Sequence, residues 1–144
     1  ADIDDSHWFT QPPGLPTHVA WQVGHLAMAQ YALTMIRIRG KEPEDEQLLS
    51  KSFFRCFQKG TTPAFDATQY PPPSEIRDTL ARVHQASLRE LAHYSDTELD
   101  VTLPEPHAVF DTKLGSIFFC SAHEMLHAGQ IGMLRRLMGK VPIR

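Results

Sequence analysis

Residues 113–138 constrain this chain more than any other stretch. They run without a proline from a capping Asp111 or Thr112 to Gly139, so the spacing predicts one long helix. At about 100° per residue, His123 and His127 fall one turn apart on a single face. That face also carries Phe119, Cys120, Leu126, Gln130, Leu134 and Leu137, while Arg135, Arg136 and Lys140 point elsewhere. An imidazole on an inward, apolar face must find a partner, because burying an unpaired polar ring is costly. A divalent cation is the partner that a pair of neutral imidazoles serves best.

The rest of the chain supplies more helices. Residues 1–16 read as an irregular lead-in punctuated by Pro and Gly, with Trp8 and Phe9 anchoring it to the body. Thr17 caps a helix predicted over 18–39 and stopped by Gly40. Such a helix is roughly 30–35 Å long. One stripe of it holds His18, Trp21, Gln22, His25, Met28, Ala29, Ala32 and Ile36; Val23, Leu26, Ala27 and Tyr31 make the other side apolar too. A helix apolar nearly all round is central or lies in a subunit contact. Residues 41–47 read as a charged loop, 48–59 as a short amphipathic helix, and 61–73 as a proline-rich linker. A helix follows over 73–94, with Ile76, Leu80, Val83, His84, Ser87, Leu88 and Leu91 inward. Ser95 and Glu98 form a capping box over at most one turn, and 101–110 is a loop. No segment alternates like a strand, so the fold class is all-α, an antiparallel four-helix bundle.

Bulk properties narrow the function. With 144 residues, 42% hydrophobic and 22% charged, residues 1–144 form a single domain with its own core. A net charge of −3 without charge blocks gives no footprint for nucleic acid or anionic lipid. The basic cluster near the end complements a helix dipole. No apolar run approaches membrane-spanning length, and nothing at the start of this sequence reads as a signal peptide. Two cysteines, Cys56 and Cys120, make no disulfide framework, so a cytoplasmic location is expected. The chain opens on Ala1 without a methionine, and natural N-terminal residues are expected ahead of it.

Two imidazoles need a third ligand, and His25, on the inner stripe of another long helix, is the best placed. Three imidazoles with solvent-filled positions make an open, catalytic arrangement. Gln22 and Gln130, three residues from a ligand each, orient it or line the cavity. Trp21, Met28 and Phe119 complete the expected substrate pocket. Glu124 lies at the edge of the inner face, either as general base toward a water or facing solvent. His84 reads as a hydrogen-bonded core histidine, Cys120 as a small buried hydrophobe, and Met125 and Met133 as packing or pocket lining. His123-Glu124-Met125-Leu126-His127 also matches H-E-x-x-H of zinc metalloproteases. No His, Asp or Glu follows through Arg144, however, and Met133 stands where the longer motif needs a third histidine. The rival from another class is a non-catalytic metal-binding or dimerising bundle, with Val23, Ala27 and Tyr31 as its contact.

Two pieces carry a resemblance: Trp21-Gln22-Val23-Gly24-His25-Leu26-Ala27, and His123-Glu124-Met125-Leu126-His127-Ala128-Gly129-Gln130-Ile131 followed by Leu134-Arg135-Arg136 and Gly139. In this order and spacing the chain resembles the DinB/YfiT-like superfamily of metal-dependent enzymes, from about Asp4 to Gly139. The resemblance implies a four-helix bundle and a divalent metal, zinc or nickel, on three histidines that map to His25, His123 and His127. It also implies homodimers, and activities such as S-transfer or isomerisation with a low-molecular-weight thiol such as bacillithiol or mycothiol. Metal-assisted thiol transfer or hydrolysis on a small molecule is the expected function. One departure stands out. The family has a long helix ahead of the point where this lead-in begins; either that first helix is missing here or residues 48–59 fill its place.

Overall fold

In the computed structural model, which describes residues 2–142, His18 rather than Thr17 caps the first long helix. Its Nδ1 accepts from the Trp21 N–H at 3.1 Å, and its Nε2–H donates to the Ala64 carbonyl at 3.1 Å. Thr17 accepts from the Gln22 amide instead. Helix α1 spans Val19–Tyr31 and winds through a π turn, Ala32–Ile36, into a last turn α2, Arg37–Arg39. Gly40 then breaks the rod at a φ of +93° that disfavours other residues. Two hydroxyls enter the ladder at the π turn, the usual cause of such distortion. Ser116 donates to the Leu33 carbonyl at 2.8 Å, and Thr34 donates back to the Gln30 carbonyl at 2.7 Å.

Residues 41–47 are not all loop, because Asp45 is a buried hub that nucleates helix α3, Asp45–Leu48. Its carboxylate accepts from Arg39 at 2.7 Å, from the Tyr31 hydroxyl at 2.9 Å and from the Glu42 N–H at 2.9 Å. The helix predicted over 48–59 is therefore divided. Leu49 is extended, and Ser50 caps helix α4, Lys51–Phe57, on the Phe53 N–H. Helix α5, Pro73–Leu91, buries Ile76, Thr79, Val83 and Ser87 but leaves His84 and Leu88 outside. Both bonds of the capping box are made ahead of α6, Asp96–Leu99. Thr112 caps α7, Lys113–Leu137, by accepting from the Gly115 N–H at 3.0 Å. A single isolated bridge, Thr102 to Thr112, is the only β pairing among the described residues.

Helix α1 is the central rod: α5 packs along one side of it and α7 along another, while α5 and α7 scarcely meet. Cross-helix pairs fix the directions. Gln30 bonds His84, Thr34 bonds Ser87 and Arg39 bonds Glu90, so α5 runs parallel to α1. Gln22 bonds His127, Gln30 bonds Glu124 and Leu33 bonds Ser116, so α7 runs antiparallel. The all-helical bundle holds, but the strictly antiparallel order does not, because residues 40–72 carry the chain back along α1 before α5 begins. Nor do residues 48–59 fill a fourth corner. Helix α4 packs on α1, and the groove between α5 and α7 is walled by Leu80, His84, Glu124 and Ala128 over a floor of Leu26 and Gln30.

Central placement also answers the question raised by the apolar back of α1. Ala27 and Tyr31 are 0% and 1% exposed within this one chain and Val23 is partly covered, so most of that face is spent inside the chain. The buried arc of α7 is narrower than its sequence predicts: Cys120, His127 and Leu134 are buried, whereas Leu126 and Leu137 are exposed. Helix α7 leans mainly on α1, so only the side chains facing that rod are covered. Arg135, by contrast, is buried, paired with Asp2 of the lead-in. Trp8 anchors the lead-in as expected: it is 2% exposed, its indole N–H reaches the Ile3 carbonyl, and Arg77 lies over its ring. No helix among the described residues is long and apolar enough to cross a membrane.

Phe57 seats its ring on α1 at Gly24, where an added Cβ would lie 2.4 Å from the ring. Gly24→Ala is expected to lower stability by about 1–3 kcal/mol through overpacking, read as a reduced urea midpoint.

Candidate metal centre

The residue that seats the ring at Gly24 also fixes the first histidine. His25, one residue on, donates its Nδ1–H to the Phe57 backbone carbonyl at 2.7 Å. His127, on α7, donates its Nδ1–H to Gln22 Oε1 at 2.5 Å. In both rings the proton is thereby held on Nδ1, which leaves Nε2 with a free lone pair. His123, one turn before His127, brings its own Nε2 to 3.1 Å from that of His127. Ligand atoms of His25, His123 and His127 all lie within 4.8 Å of one another. Nitrogens bound to one tetrahedral ion stand roughly 3.3 Å apart at Zn–N distances of about 2.0–2.1 Å, a spacing the His123–His127 pair already has and the cluster as a whole approaches.

The surroundings keep these rings neutral. All three imidazoles have pKa values below the ordinary one, chiefly because burial disfavours the charged form. For His127 the value falls to about 4, with repulsion from His123 and His25 adding to burial. Neutral imidazole is the ligating form, so no proton need leave the rings at neutral pH. Trp21 stacks on His25 at 4.7 Å between centroids and is pinned by a bond from its indole N–H to Thr61. On the other flank Phe119 lies 5.9 Å from the His123 ring, backed by His107 and Phe110. This is a donor set that a divalent cation fits: three neutral nitrogens, two of them oriented by partners, and no competing protein anion among them.

The other expected site residues divide. Gln22 orients a histidine, yet the one on the facing helix rather than His25, three residues along its own. Trp21, Gln22 and Gln130 share with His127 the lining of an open cleft of about 390 Å³, bordered by Leu15, Pro16 and Pro63. Gln130 Oε1 is buried without a partner among the described residues. Met28 is not in this cleft; it is 6% exposed and packs in the core. Phe119 walls His123 and not the cleft. Glu124 is outside the histidine cluster: its Oε1 accepts from Gln30 at 2.9 Å and from the Cys120 thiol at 3.6 Å. Those bonds hold its Oε1 toward the groove beside α5. Cys120 is core, its thiol pushed up to about 12 by burial and by the Glu124 charge, so it supplies no thiolate. His84 accepts from Gln30 at 3.1 Å and takes no part. Sequence reasoning missed the Phe57 carbonyl and Thr61, which carry no motif because they act through chain brought in from another element.

With this geometry in hand, comparison with known proteins gives one result: the family model for the DinB superfamily matches residues 1–131. Curated proteins and solved structures give no match.

Two measurements follow. Gln22→Leu removes the acceptor that holds His127, and metal affinity should fall about 10–100-fold, read by competition with a chromophoric chelator. In metal-stripped protein, His127 binds a proton in the unfolded chain below the ordinary 6.5 but in the fold only near 4. Its contribution is therefore complete above pH 6.5 and is lost as pH falls toward 4, by roughly 3 kcal/mol. Urea melts across that range should show this slope, and His127→Gln should reduce it, leaving the share of His25 and His123.

Proposed function

Because the chain belongs to the DinB superfamily over residues 1–131, we propose that it is a metal-dependent enzyme acting on a small molecule. The observation that carries the proposal is the meeting of three neutral imidazoles from two antiparallel helices, two with their Nδ1 protons held elsewhere. Zinc or nickel is the cation this nitrogen set suits within the family, and S-transfer with a low-molecular-weight thiol, or hydrolysis, is the reaction proposed. A divalent ion bound there supplies Lewis acidity, which favours the deprotonated form of a thiol or water.

The protein's own residues do the rest. His25, His123 and His127 bring no negative charge, so the ion's charge remains available to an anionic ligand. Phe57 and Gln22 hold two rings in place and keep their Nε2 atoms unprotonated. Trp21 and Phe119 flank the centre with aromatic surface that limits water. Glu124 is not assigned a proton-transfer role, since its carboxylate is engaged by Gln30 and Cys120. The same engagement counts against an H-E-x-x-H protease, whose glutamate must attend the metal. Two unpaired cysteines suit a reducing, cytoplasmic setting.

A second reading, a non-catalytic dimerising bundle, has one feature behind it. Phe118, Met125, Met133 and Leu137 are exposed along α7, so a second copy would pack there and not on the back of α1. Sedimentation of the wild type against Met125→Glu checks this: a faster species lost in the variant supports it, and a monomer at high concentration removes it.

The metal reading is tested by elemental analysis of purified protein. Wild type should carry close to one equivalent of divalent metal, and His123→Ala with His127→Ala essentially none, with the helical circular dichroism kept. Equal metal in both would end the proposal. Exchangeable solvent on the bound metal favours the enzyme, and a shell filled by protein favours a structural role.

A further inference from the structure

The three imidazoles of the cluster are not held alike. His127 has its Nδ1–H on Gln22, whereas the Nδ1 of His123 has no partner among the described residues. Phe119, beside His123, is tilted by 41° to its ring at 5.9 Å. Among the described residues only His25 is gripped in two directions. The Phe57 carbonyl takes its Nδ1–H at 2.7 Å, and the Trp21 indole lies flat on its face, at 8° and 4.7 Å between centroids. These contacts do different things. A hydrogen bond at one nitrogen fixes where that edge points but leaves the ring free to tilt about the bond. A parallel stack removes the tilt.

A stacked indole can itself turn or slide, because an aromatic pair adds only about 0.5–1.5 kcal/mol beyond its burial. Trp21 is stopped by Thr61, whose Oγ1 accepts from the indole N–H at 3.0 Å. Thr61 is in turn set by its own tight turn. Its hydroxyl donates to the Gln58 carbonyl at 2.9 Å, and its N–H reaches the same carbonyl at 3.2 Å. The hydroxyl proton is thus committed to the backbone, and an oxygen lone pair is left for the indole. Phe57 and Thr61 begin and end this short stretch, and the Phe57 ring is buried against Gly24. Residues 57–61 therefore hold His25 by its edge directly and by its face through Trp21.

We propose that Thr61 is a positioning residue for the metal. By keeping the Trp21 indole flat on His25 it sets the plane of that ring, and with it the direction of the Nε2 lone pair. His25 is then the fixed member of the cluster, to which His123 and His127 accommodate. Outer partners of a ligating histidine commonly act at its second ring nitrogen; here part of the hold acts through the ring face. This inference rests on the metal reading above and adds to it a residue that touches neither the ion nor a ligating ring.

Co²⁺ binding to the full chain is the test, read by its visible ligand-field bands and its dissociation constant, with no turnover needed. Thr61→Val keeps the side chain's bulk and removes the oxygen, and it should weaken Co²⁺ binding about tenfold and alter the bands. Thr61→Ser restores the oxygen and should return both readouts to near the wild type. Trp21→Phe leaves a ring over His25 without the N–H and should weaken binding similarly. In that background Thr61→Val should cost less than about twofold more, because a residue acting through the indole has nothing further to lose. Wild-type affinity in Thr61→Val or in Trp21→Phe overturns the proposal. So does a Thr61→Val loss that persists in full without the indole, which makes Thr61 a part of its turn and nothing more. Where Thr61→Val loses its helical circular dichroism, Trp21→Phe against the wild type decides. A wild type that takes up no Co²⁺ sinks the metal reading and this inference together; Co²⁺ bound equally by every variant sinks the inference alone.

Discussion

Burying a helix on nearly every side leaves its polar side chains with nowhere to go but the neighbours, and α1 is such a helix. His18, Gln22, His25, Gln30 and Thr34 are all buried. Each must be paired or cost stability, and the pairs reach different elements. His18 bonds the 61–72 connection, Gln22 bonds α7, and His25 bonds the end of α4. Gln30 bonds both α5 and α7, and Thr34 bonds α5. Apolar contact supplies most of the cohesion but tolerates sliding. These directional bonds fix the register of every long element against the central rod.

The histidine cluster is a product of the same register. A shift of α7 by one turn along α1 would move His127 from Gln22 and separate its Nε2 from His25. A displacement of α4 would withdraw both the Phe57 ring from Gly24 and the Phe57 carbonyl from His25. Stability and site geometry are thus coupled through single residues. The coupling explains why a backbone carbonyl serves His25 well: it has no rotamer of its own and is held by a ring that is 0% exposed. Low pKa values in the triad belong to the same arrangement, since three basic rings packed in a dry place can stay together only while neutral.

Charge is distributed by role. Ion pairs, buried at Arg39–Asp45 and half-buried or exposed elsewhere, tie in the irregular segments: Arg135 with Asp2, Arg77 with Asp5, and Arg39 with Asp45 and Glu90. The triad and its cleft are left uncharged. The separation leaves a cation at the histidines as the dominant local charge, and makes the anion it attracts a matter for the ligand and not the protein.

Much of this was legible in the chain. Helical spacing, proline and glycine punctuation and the caps at Ser95 and Thr112 are local properties, set within a few residues, and they locate the long helices to within a few positions. Two histidines at i and i+4 share a face by helical geometry alone, and the motif pieces around His25 and His123 are enough to indicate the family. The period of a helix, however, gives angles about its own axis and does not say which neighbour stands at each angle. Only the tertiary structure decided that α5 runs parallel to α1, that Glu124 faces Gln30 and Cys120, that Gln22 serves His127, that Met28 is core, and that Leu126 and Leu137 lie outside while Arg135 lies within. Each of those outcomes depends on a partner far along the chain, brought close by packing, for which no short-range pattern exists.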